Sequence, residues 1–332
     1  MEKTSRLPEM DLLRGLAILM VLAYHCFLAL FPTPPFASLD SLLLVFKNNF
    51  PGSLAALAFL NGYTGVHLFL VLSGFLLTYQ YYQKPPDLKK FYLKRLKKLF
   101  LPYWPAWLLA VLAGIFIFQK NYNFITLASS FFYPFSLDFF AKYVSAVNPT
   151  FWFIGLIIQF YLAFPFLLKL LKLLKPLNFL LLSFIFSLTC RFLAVFMFAS
   201  HPVGVLIATA NGSSAFIILP TRLFELALGM SIAAYYHLVG YFLTTPRKNI
   251  LFFFFGGIVL LVWTNLSTLC KAGWLFSDQL FATGLVLFLG PLLSLIKSSK
   301  LFTKSLNFFS RYSYQIYLFH YPIIFALAYL LK

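Results

Sequence analysis

Charge is what this sequence has least of. Charged residues fill 10% of its 332 positions, against about a quarter in an ordinary soluble domain. Acids are the scarcer sign: 8 Asp and Glu stand against 26 Lys and Arg, a net charge of +18. Cysteine is nearly missing too. Cys26, Cys190 and Cys270 are odd in number and far apart, which excludes a disulfide framework and a cysteine-based metal site. Cys26 and Cys190 fall in apolar stretches and read as small core residues. In place of charge there is apolar surface, 61% of residues, with a mean hydropathy of +0.87. One soluble core cannot hide so much, and the wealth of aromatics excludes disorder.

The apolar residues come in blocks of about twenty, the length a helix needs to cross about 30 Å of hydrocarbon. The fold class is therefore all-α: a polytopic transmembrane helix bundle of nine to ten membrane-spanning helices, N-terminus cytoplasmic. The strong blocks are about Met10–Phe31, Ala55–Tyr82, Leu99–Gln119, Phe151–Leu171, Leu177–Phe198, Ile217–His237, Ile250–Asn265, Phe276–Ile296 and Tyr312–Leu331. Tyr122–Ala141 is a weaker tenth, expected as a short span, a re-entrant piece or an interfacial helix. In a soluble protein the basic excess would suggest nucleic acid. Here lysines in short loops mark the cytoplasmic side, and no nucleic-acid partner is expected. The Lys84–Lys98 stretch, the Lys169/Lys172/Lys175 and Arg247/Lys248 groups, and Lys297, Lys300, Lys304 and Arg311 all fall inside if the tenth segment does not cross. That bias favours nine.

Some of the few charges lie within the blocks, where they are costly and usually functional. Asp11 and Arg14 are three residues apart and share a helix face. His25 follows Arg14 by eleven residues, about three turns, so it shares that face about 16 Å along the axis. The stripe sets a fixed cation near the cytoplasmic surface and a titratable base at depth. His67 shares a face of the second block with Gly74 and Thr78, as a second polar cavity group or an interfacial residue. Lys94, Arg95, Lys97 and Lys98 suit a phosphate-rich ligand or lipid headgroups. Trp152 and Gln159 share a face, as do Ser313, Tyr317 and His320. Arg222 and Glu225 read as an i, i+3 ion pair, and Arg191, without an evident partner, is expected to snorkel.

Taken in order, these pieces resemble the acyltransferase-3 family of integral membrane acyltransferases over nearly the whole chain. The family's Asp-x-x-Arg helix with a later His is matched by Asp11, Arg14 and His25. Its Gly-Val-x-x-Phe-x-x-x-Ser-Gly-Phe helix is matched by Gly65 to Phe75. The basic run leading to a proline is matched by Lys94, Arg95, Lys98 and Pro102. Trp152, Gln159, Phe160, Tyr161 and Pro165 follow the next motif, Arg222 and Gly229 another, and Ser313, Tyr314, Tyr317, Leu318 and His320 the last. The sequence departs from the pattern at Ile157, where the family often has Glu, at His67, often an acid, and in the basic run, where paired arginines are partly Lys. Those departures imply an acceptor pocket that differs from that of the better-known members.

The resemblance implies one integral membrane acyltransferase domain over residues 1–332, with no fused soluble domain, in a bacterial cytoplasmic (inner) membrane. It implies transfer of an acyl group, commonly acetyl, from cytoplasmic acyl-CoA to a hydroxyl of a cell-envelope or secreted saccharide or a lipid-linked glycan. Acyl-CoA would be a co-substrate; no tightly bound cofactor and no metal are expected. Arg14, Lys94, Arg95 and Lys98 are assigned to the CoA phosphates, Arg14 with a bidentate fork that Lys lacks. His25 is the expected general base, worth typically about 10²–10⁴-fold, or a nucleophile forming an acyl-histidine. Asp11 and His320 are expected beside it in the catalytic set, and Trp152, Gln159, Tyr317 and His67 at the acceptor. The competing class is a multi-helix transporter or flippase for a glycan or lipid precursor, whose buried charges would line a path.

Overall fold

A computed structural model describes residues 7–31, 58–133, 145–197, 216–239, 250–267, 270–296 and 300–331, with isolated positions between 47 and 56. The described chain is helical and holds no strand. In chain order the helices are α1 (Pro8–Leu30), α2 (Gly65–Tyr81), α3 (Leu88–Phe116), α4 (Phe124–Phe131), α5 (Trp152–Phe192), α6 (Leu219–Val239), α7 (Ile250–Ser267), α8 (Lys271–Trp274), α9 (Ser277–Ile296), α10 (Lys300–Arg311) and α11 (Ser313–Leu330). Among the described residues four helical stretches are long and apolar enough to cross a membrane: Pro8–Leu30, Ala58–Tyr81, Leu88–Phe116 and Pro149–Met197. Large apolar side chains such as Leu101, Phe116, Phe166, Leu173 and Ile185 face outward along them. Exposure on that scale suits a surface bathed in lipid rather than water.

The 41-residue α5 is two limbs folded back at Lys175, whose backbone sits at φ 65°, ψ 160°. Pro176 accounts for the extended ψ, because a proline disfavours the helical conformation in the residue before it. The second limb returns along α6: Ser231 Oγ donates to Pro176 O at 3.1 Å and Ser187 Oγ to Thr221 O at 2.9 Å. The two apolar blocks read on either side of this point are thus these two limbs.

Glycine permits a close crossing between α2 and α6. A Cβ at Gly74 would lie 2.1 Å from Leu226 O, and one at Gly229 would lie 1.9 Å from Val71 O. Small residues of this kind let membrane helices touch through their backbones.

The structure sharpens three segments of the sequence reading. The basic stretch after α2 is largely helix rather than loop: Asp87 caps α3 by accepting from Lys90 N at 3.1 Å, so Lys94, Arg95 and Lys98 lie in its first turns. Helix α4 in the weak tenth block has 8 residues, about 12 Å, too short to cross; residues 134–144 lie outside the described ones. The basic group at 300–311 is an amphipathic helix, α10, packed on α1 through Leu306 against Gly15. In the sequence its lysines read as loop charge, because a short amphipathic helix is easily lost beside a long apolar block.

A histidine pair beside a cationic cavity

His25 lies on α1 and His320 on α11, 295 residues apart in the chain. The structure brings their rings to 4.7 Å, edge to face, with His320 Nε2 at 3.2 Å from His25 Nδ1. The protons follow from the acceptors. His25 Nδ1 lies 2.9 Å from Val21 O, and a carbonyl only accepts, so Nδ1 carries the hydrogen. His320 Nδ1 donates to Tyr317 O at 2.7 Å, which leaves its Nε2 as the acceptor facing His25. One N–H of His25 is therefore shared between Val21 O and His320. Its Nε2, in the neutral ring, keeps a lone pair and has no hydrogen-bond partner among the described residues. Tyr24 and Tyr321 flank the ring, at 4.9 and 5.7 Å between centroids.

A cavity of about 490 Å³ opens at the other end of the α1 stripe. Its wall carries Arg14 and Asp11 from α1, Arg95 and Lys98 from α3, and Arg311 from α10. Asp11 Oδ1 lies 3.8 Å from Arg14 Nη1 and accepts from Ser310 Oγ at 3.5 Å. Arg95 donates from Nη2 to Gln80 Oε1 at 3.1 Å, stacks 5.7 Å from the rings of Phe91 and Tyr161, and keeps a buried Nε with no partner. Four cations and one carboxylate on one wall suit a polyanion. Tyr317 also lines the cavity, and its carbonyl holds His320, so α11 joins the two features.

The remaining sequence candidates lie elsewhere. Lys94 is exposed on α3, outside the cavity lining. Gln159 Oε1 accepts from Leu219 N at 2.9 Å and so caps the start of α6. Trp152 lies 5.8 Å beneath the Arg222 guanidinium. His67 is 1% exposed and donates from Nδ1 to Glu225 Oε1 at 2.5 Å. It belongs to a buried charge cluster in which Arg222 meets Glu225 at 3.1 Å and Asp278 at 2.9 Å, and Arg191 meets Asp278. The snorkelling expected of Arg191 is thereby corrected. Its side chain is fully buried and bonds Leu275 O at 2.7 Å and Ser277 Oγ at 2.9 Å, besides Trp274 O and Asp278. The partner stands 87 residues away and could not be found by local spacing.

Arg311 and Gln80 were missed as cavity residues. In the sequence Arg311 reads only as topological charge, and the one available signal is its place just before the Ser313–His320 motif.

These features set a histidine pair and a cationic cavity in a helical protein with membrane-length apolar helices. The family model described as an acyltransferase domain matches residues 7–332, and the chain belongs to this acyltransferase-3 family. Acyl transfer is accordingly its class of reaction. No curated protein and no solved structure matches the chain.

Proposed function

We propose that the protein moves an acyl group, acetyl as the simplest case, from cytoplasmic acyl-CoA to a hydroxyl of a cell-envelope or secreted saccharide. The observation that carries this reading is the placement of an imidazole with a free Nε2 and a cationic cavity on one helix, His25 and Arg14 being about 16 Å apart along α1. A pantetheine arm, comparable to four or five extended residues, reaches about 15 Å. With the CoA phosphates on Arg14, Arg95, Lys98 and Arg311, the thioester comes near the level of His25. Lys94, outside the lining, serves as an outer electrostatic contact.

The step then balances as follows. His25 Nε2 takes the hydroxyl proton as the oxygen attacks the thioester carbonyl. The tetrahedral adduct collapses, the carbon–sulfur bond breaks, and the leaving thiolate takes the proton from His25. The imidazolium formed in between keeps its Nδ1–H on Val21 O and the neutral His320. Asp11 acts one step removed, by holding Arg14. Tyr317 closes the cavity wall, while Trp152, Gln159 and His67 shape the helix ends behind it rather than touching the donor. The acceptor, a saccharide or lipid-linked glycan, follows from the family resemblance.

The chain is read as crossing a bacterial inner membrane nine times, by α1, α2, α3, the two limbs of α5, α6, α7, α9 and α11. The apolar length of these helices and limbs supports the count, and the lysine-rich ends are read as the cytoplasmic side.

Mass spectrometry of envelope glycans from cells with and without the protein tests the reading. The expected result is a mass difference of one acyl group. Identical glycans, with a glycan precursor crossing proteoliposomes in the absence of acyl-CoA, would support a transporter instead.

A further inference from the structure

The cavity stops short of His25, and what closes it is aromatic. Phe69 of α2, Phe153 of α5 and Tyr317 of α11 line its wall. Their rings form a row, Phe69 to Phe153 at 6.2 Å and Phe153 to Tyr317 at 5.1 Å. The row continues from Tyr317 to His320 at 5.6 Å and from His320 to His25 at 4.7 Å. These centroid spacings are those of rings in contact. Phe153 and Tyr317 are buried, 8% and 3% exposed. Tyr317 is pinned at both ends: its OH donates to Thr150 O at 2.7 Å, and its carbonyl accepts from His320 Nδ1 at 2.7 Å.

The geometry points to Phe153 and Tyr317 as the residues that set the length of the acyl group, restricting the donor to short chains. This rests on the acyl-CoA reading above. Transfer needs the thioester carbon about 3–3.5 Å from the attacking oxygen, and that oxygen must lie within hydrogen-bond reach of His25. The acyl substituent leads the thioester inward from the cationic mouth, so it meets the Phe153–Tyr317 contact that closes the cavity before His25. An acetyl methyl fits against the rings, whereas each further methylene needs volume that Phe153 fills. Tyr317, bonded to the backbone at Thr150, cannot swing aside without losing that bond. Phe153 makes no hydrogen bond and is the more tractable of the two.

The test measures release of CoA from acetyl-, butyryl- and hexanoyl-CoA by the purified full-length protein in nanodiscs, with acceptor glycan present. Wild type is expected to prefer acetyl-CoA. Phe153→Ala is expected to raise the hexanoyl-to-acetyl ratio of kcat/KM by about tenfold or more, the scale on which pockets read methylenes. Phe153→Leu, which keeps most of the side-chain volume, is expected to raise the butyryl-to-acetyl ratio by a smaller factor, and it carries the test if the alanine variant does not fold. A wild type that already prefers hexanoyl-CoA, or folded variants with an unaltered length profile, would overturn the inference alone. A wild type inert towards every acyl-CoA would remove the proposed function, and this inference with it.

Discussion

His25 and His320 were each legible in the sequence, from the Arg14–His25 spacing and from the Tyr317–His320 face. Their pairing was not, because it depends on α1 and α11 packing side by side. The pairing gives His320 a place as an acceptor for the Nδ1–H of His25, whose Nε2 keeps its lone pair, and under the proposed mechanism that makes it a positioning residue. Removing that acceptor in His320→Leu leaves Val21 O alone to hold the ring and is expected to lower kcat by about tenfold or more, since a catalytic group slightly out of place loses much of its effect. KM for acyl-CoA should be unchanged, and His320→Gln, whose amide oxygen can accept, should recover part of the loss. Steady-state kinetics on purified protein checks this split. An equal rise in KM would mean that His320 serves the donor instead.

At the scale of helices, the apolar blocks gave the long spans and the break before Pro176, because both are written locally. The ionic cluster was written across the chain. It ties α2, α5, α6 and α9 through His67, Arg191, Arg222, Glu225 and Asp278, all buried, and of these only the Arg222–Glu225 pair was visible as an i, i+3 spacing. Taking one partner from a buried pair leaves an uncompensated charge, at a cost of about 3–5 kcal/mol. Arg191→Met should therefore lower the melting temperature of the detergent-solubilised protein clearly, while an exposed change such as Lys94→Met should not. Equal melting of the two variants would show the cluster to be dispensable for stability.

Over the whole molecule, the scarcity of acid becomes a placement. Among the described residues Asp11 steadies Arg14 at the cavity, Asp87 caps α3, and Glu225 and Asp278 offset the buried arginines. The basic excess sorts in the same way. Much of it is read as marking the cytoplasmic side, and Arg14, Arg95, Lys98 and Arg311 converge on a single cavity from three helices. The sequence could name the first three of these but not their convergence, which requires α3 and α10 to meet beside α1. The central claim is that His25 performs acyl transfer from a donor held by those cations. Its most direct test is acyl transfer from labelled acetyl-CoA to acceptor glycan by the purified protein in nanodiscs, compared with His25→Ala. The account predicts transfer by the wild type and a loss of at least about 10²-fold in a variant that remains folded. Undiminished transfer by folded His25→Ala would contradict it.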